Sequence, residues 1–170
     1  MSFYMPEDIA KTRERYERSG IPQASLIYRG RPYLYYIVPP ERWPEVPNFF
    51  MRMVPDPNIQ YLAKPPEDLL FLTISSEVPE AFRPLIVFHE IVELLEIGHR
   101  SRDCCRRAAA LEVQRARDYF KHLRLTDYFS LRLQFFKDLL AYAESHPDFC
   151  SRDQLPALRA AQSVFQTALS

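Results

Sequence analysis

Proline divides the chain into two regimes. Thirteen of its fifteen prolines lie between Pro6 and Pro84, none lies between positions 85 and 146, and the last two are Pro147 and Pro156. Proline lacks an amide donor and disfavours helix at the residue before it. The first half should therefore form strands, turns and extended connections, and the second half helices. A length of 170 residues with 47% hydrophobic and 14% aromatic side chains suits about one domain with a sizeable core. The expected fold class is α+β: a small, mostly antiparallel sheet from the N-terminal half packed against about four C-terminal helices, in a single domain spanning residues 1–170.

Local signals refine this outline. Residues 6–19 read as a solvated helix, with Pro6 suited to the first turn, alternating charges in KTRERYER and Gly20 as its stop. In ASLIYRGRPYLYYIV, residues 24–38, β-branched and aromatic runs flank Arg29-Gly30-Arg31, which predicts a hairpin. LLFLTIS, residues 69–75, predicts another strand. Between them, residues 39–66 hold eight prolines together with Trp43, Phe49, Phe50 and Tyr61, an irregular excursion expected to wall a cleft or pack on the core. The string RPLIVFHEIVELLEIG, residues 83–98, is too apolar all round for a surface helix and predicts a buried central one. Further helices are expected over residues 101–122, from Thr126 to Ser145, and from Ser151, where Ser151 and Gln154 have capping-box spacing. Tyr128, Leu131, Phe135, Leu139 and Tyr142 recur at helical spacing and read as core.

Composition removes several function classes. The three glycines, Gly20, Gly30 and Gly98, are too far apart to write either common glycine-built nucleotide-binding loop. Twenty-two basic and 22 acidic residues leave no global field to attract nucleic acid or an anionic membrane. The arginines from Arg100 to Arg117 are interrupted by Asp103 and Glu112 and read as a solvated face. No run approaches the roughly 20 apolar residues of a membrane span. The first residues show no basic and then apolar leader pattern, so a cytoplasmic location is expected. Three cysteines, two of them the adjacent Cys104 and Cys105, read as reduced structural thiols.

The central helix carries the one constellation with chemistry. With His89 at 0° and about 100° per residue, Glu93 falls near 40° and Glu96 near −20°. Three ionisable groups thus share a stripe among Leu85, Ile86, Val87, Phe88, Ile91, Val92, Leu94 and Leu95. Such groups must be paired, solvated in a cleft, or bound to a cation. Imidazole and carboxylate one turn apart can hold one metal ion, and Glu90, directly after the first ligand, can reach a metal-bound water. The bland account is a hydrogen-bonded core histidine with Glu93 and Glu96 in salt bridges, Glu96 and Arg100 being four apart in the favourable order.

A strand, a short proline-bearing connection and a helix bearing His89-Glu90-Ile91-Val92-Glu93 together resemble the zincin metallopeptidases, in which an edge strand precedes an H-E-x-x-H helix. The resemblance covers roughly residues 69–115. It implies a peptide or protein substrate and a divalent metal, zinc in that family. The gluzincin branch takes a third ligand, a glutamate, from the next helix, and Glu112 stands 19 residues after Glu93 in a small-residue setting. By that likeness His89, Glu93 and Glu112 are the ligands and Glu90 the general base. The metzincin branch instead places a third histidine ten residues after the first, where His99 stands, although Glu96 occupies the position of that branch's glycine. The zincins' second ligand is histidine, and here it is Glu93, a more anionic donor that lowers the power of zinc to acidify water. That departure leaves three alternatives open: a hydrolase with an altered ligand set, a protein holding a different divalent ion, and a non-catalytic interaction domain that keeps the scaffold without the metal, its stripe held by ion pairs. Tyr119 and Tyr128 are further candidates as electrophilic helpers.

Overall fold

The computed structural model describes residues 6–39, 41, 54–55, 72–97, 103–121, 123–146 and 155–170, and the chain divides into two compact units, Met1–His99 and Arg100–Ser170. In the first unit, helix α1 (Pro6–Arg18) keeps Lys11, Glu14, Arg15, Glu17 and Arg18 exposed. Glu14 and Arg18 pair across one turn. Gly20, at φ 68°, ends the helix in the left-handed conformation that glycine adopts without penalty, and the amides of Gly20 and Ile21 donate to the carbonyls of Glu17 and Tyr16. The Tyr16 ring meets Tyr36 edge-on at 5.4 Å, which ties α1 to the sheet.

Strands β1 (Gln23–Tyr28) and β2 (Arg31–Val38) form the expected hairpin, closed by the Tyr28↔Arg31 pair. Its two turn residues, Arg29 and Gly30, have φ of 50° and 78°. Positive φ at both gives the mirror-image turn whose twist matches that of the flanking strands. Strand β4 (Leu72–Ser75) pairs parallel with β2, from Tyr35↔Leu72 to Val38↔Ser75, and antiparallel with the two-residue β3 (Val54–Pro55), giving the order β1-β2-β4-β3. The sheet is mostly antiparallel, as expected, with one parallel pairing that the long return between β2 and β4 makes possible. All four residues of β4 are buried, which fits a strand paired on both sides.

A short connection carries β4 into α2 (Arg83–Ile91), with a turn of 3₁₀-helix over Glu80–Phe82. Arg83 secures the join by donating to the carbonyls of Val78 at 2.8 Å and Ser76 at 3.1 Å, and Pro84 sits in the first helical turn. Every residue from Leu85 to Leu94 is buried, as the apolar string predicts. Phe88 meets Tyr28 edge-on at 5.8 Å, so α2 covers the hairpin face built from Leu26, Tyr28 and Tyr33. From Val92 to Ile97 the helix widens into a π-helix.

The second unit is three helices, α3 (Cys104–Tyr119), α4 (Leu123–Ser145) and α5 (Leu155–Leu169), with α5 packed on both others. Ala108, Ala109 and Ala116 of α3 and Ala161 of α5 are fully buried and keep the packed faces close. Phe165 stacks on Phe136 at 5.6 Å and tilts against Phe129 at 6.3 Å. Tyr128, Phe135 and Leu139 of the predicted core stripe are buried, with Leu131 and Tyr142 at its half-buried margin. The Ser151/Gln154 capping box and the aromatic residues of the 39–66 excursion lie outside the described residues. Among those described, no helix is long and apolar enough to cross a membrane.

Candidate metal pair on the central helix

His89 is fully buried on the last turn of α2, Glu90 beside it is 4% exposed, and Glu93 is 5% exposed one step into the π-helix. The sequence brings them inside because the helix is apolar on every side, so residues 89 to 93 have no solvent face. His89 Nε2 and Glu93 Oε1 stand 3.5 Å apart. A charge-assisted N–H···O bond closes to about 2.8 Å. Two donors each about 2.1 Å from a tetrahedral ion stand about 3.4 Å apart, which is the spacing seen here. The pair thus offers an imidazole nitrogen and a carboxylate oxygen at a separation that could hold a divalent cation, in an interior that raises the strength of any charge interaction.

Glu96, expected in the same stripe with Arg100 as its partner, is engaged differently. Its carboxylate accepts from the Tyr28 hydroxyl and from Arg29, whose guanidinium lies 2.6 Å away and also rests over the Tyr28 ring. The hairpin turn supplies a counter-charge. Arg100 lies outside the described residues, as do Gly98 and His99, the alternative third ligand.

In the second unit Glu112 is fully buried on α3 and engaged by protein donors. Arg132 of α4 donates Nε to Oε1 at 2.6 Å and Nη2 to Oε2 at 3.1 Å, and the Tyr128 hydroxyl donates to Oε1. The guanidinium is walled by the rings of Phe135, Phe136 and Phe165, at 5.2, 5.2 and 5.4 Å. Burial, reinforced by the charge of Glu112, pushes the Tyr128 phenol well above its usual 10. Both Glu112 oxygens are thus held by a forked cation, and a ligand role for Glu112 requires their release. Tyr128 is the donor that completes this pair. Tyr119 is 69% exposed and packs edge-on against Phe120.

Cys104 is buried and Cys105 half-buried, neither in a disulfide, in keeping with reduced thiols. On α3, Arg106, Arg107 and Arg117 are exposed, and Arg106 forks onto Asp103 through two 2.6 Å bonds, as a solvated charged face would have it. Sequence reasoning missed Arg132, although a signal existed: at one turn from both Tyr128 and Phe136 it is the single charge inside the apolar stripe of α4. It also missed Tyr28 and Arg29, for which strand and turn patterns carry no long-range signal. No protein-family model, curated protein or solved structure matches the chain.

Proposed function

We propose that the protein is a metal-dependent hydrolase of zincin-like layout that acts on peptide bonds. The observation carrying this reading is the buried His89/Glu93 pair at the separation of two ligands on one ion. His89 and Glu93 hold the cation, with zinc the first candidate. Glu90, buried beside the pair, accepts the proton of the attacking water. The cation supplies charge to polarise the peptide carbonyl. Alignment of an extended peptide by strand addition to β4 is not open here. Here β4 lies inside the sheet, and among the described strands the edges are β1 and β3.

The test is metal analysis of untagged protein alongside His89→Ala, followed by peptide hydrolysis with and without a chelator. A stoichiometric divalent ion in the parent, its loss in His89→Ala, and its retention with loss of hydrolysis in Glu90→Gln are the expected results. Parent protein without a stoichiometric ion removes metal and peptidase together. A non-catalytic interaction domain on the same scaffold is favoured by one observation, the engagement of Glu112 by Arg132 and Tyr128. For that reading the parent holds no stoichiometric ion and cleaves no peptide under any metal load, and its partner is a peptide or protein rather than nucleic acid.

A further inference from the structure

We infer that Tyr28, Arg29 and Glu96 are positioning residues for the His89/Glu93 pair, acting through the π-helix that joins them; the inference rests on the metal-binding reading above. The argument starts from helix geometry. At the α-helical pitch Glu96 would return to the His89 stripe and bring a second carboxylate against Glu93. A π-helix turns through a smaller angle per residue. Glu93, one step into the segment, stays in register with His89, whereas Glu96, four steps in, lags behind and leaves the stripe.

Glu96 arrives instead at the hairpin turn, where its carboxylate accepts from the Tyr28 hydroxyl and pairs with Arg29. The Tyr28 ring is pinned in turn against Phe88, the residue before His89, at 5.8 Å. Both ends of the latch therefore bear on the helix that carries the two ligands. π-Helical turns are rare and concentrate at functional sites, and this one carries an outside hold on Glu96. Three donors and acceptors from two elements supply it. Arg29 spends a left-handed backbone conformation, φ 50°, at the same point. Groups that orient metal ligands without touching the ion change metal affinity by about 10- to 100-fold when removed.

The experiment is a titration of full-length, chelator-stripped protein with Co²⁺, read by calorimetry and by the visible absorption of the bound ion. The variants are Arg29→Ala, Glu96→Gln, Tyr28→Phe and the conservative Arg29→Lys, with His89→Ala as the ligand control. The expected result is about tenfold weaker binding in Arg29→Ala and Glu96→Gln. Their absorption per bound ion should be lower and shifted, because the coordination geometry has relaxed, and Arg29→Lys should restore both. A general loss of stability would lower the bound fraction without moving the spectrum of the ion that does bind. Tyr28→Phe removes one hydroxyl while keeping the ring on Phe88, and provides the same readout if a charge deletion unfolds the protein. If parent and latch variants bind alike while His89→Ala does not bind, the positioning role is overturned and the metal reading stands. If the parent itself binds no Co²⁺, both are overturned.

Discussion

Replacing Arg132 by Met tests the account of the second unit most directly. The substitution preserves much of the side-chain volume among Phe135, Phe136 and Phe165 but strips Glu112 of both charge-assisted bonds. With both side chains at most 1% exposed, water cannot take over as partner. Breaking a buried pair by removing one member costs about 3–5 kcal/mol, most of it the penalty of an uncompensated buried carboxylate. Against a typical domain stability of about 5–15 kcal/mol, that is a loss of about a fifth to the whole of it. The triple replacement Glu112→Leu, Tyr128→Phe, Arg132→Met removes charge, counter-charge and hydroxyl together and is expected to recover most of the loss, because apolar substitutes avoid the desolvation of both ions. Urea denaturation followed by circular dichroism, with and without EDTA, measures both. A loss below about 1 kcal/mol in Arg132→Met, or a triple variant as unstable as the single one, would refute the reasoning.

Three further outcomes follow from the geometry. Gly30→Ala meets no atom within 4 Å but must hold φ near 78°, so thermal melting should report a loss of about 1 kcal/mol with no change in the folded spectrum. Tyr128 keeps its proton in the folded state where the unfolded chain begins to lose it near pH 10. The unfolded state then binds fewer protons, so stability is complete below pH 10 and falls above it, by up to about 1.4 kcal/mol per pH unit for this group. Tyr128→Phe should flatten part of that decline in denaturation curves taken from pH 9 to 11; Tyr35 and Tyr36, whose phenols burial also raises, contribute in the same direction. Ile27 and Leu34 are 67% and 57% exposed on the outer face of the hairpin, so Ile27→Lys and Leu34→Lys should each stay within about 0.5 kcal/mol of the parent in the same assay.

The helices were legible because their signals are local. The proline gap, the 3.6-residue apolar stripes and the glycine stop at Gly20 all act within a few residues, and the sequence expectation for α1, α2 and α4 falls within about three residues of the observed starts. The hairpin was equally local, fixed by Arg29-Gly30 between two β-branched and aromatic runs. Two things were not legible. The parallel partnership of β2 and β4 depends on how a long connection returns, which no window of residues encodes. The π-helix also escaped, since Val92–Ile97 reads as ordinary α-helix in composition, and the partners of its Glu96 lie in a hairpin far away in sequence. The site was half visible for the same reason. His89, Glu90 and Glu93 are found by spacing, whereas the partners of Glu96 and Glu112 are set by tertiary contacts.

The β1–β2 hairpin closes across two residues and can form within microseconds. Strand β4 joins β2 only after all the chain between Val38 and Leu72 has looped back, an entropic cost met before any pairing rewards it. Because α2 follows β4 through a short connection anchored by Arg83, helix and strand arrive together. His89 and Glu93 therefore enter their dry surroundings only in the late step of assembly. On the metal-binding reading proposed above, a chain paused before that step would hold His89 and Glu93 in water, with the weak affinity of a flexible peptide, so metal capture would report completion of the sheet.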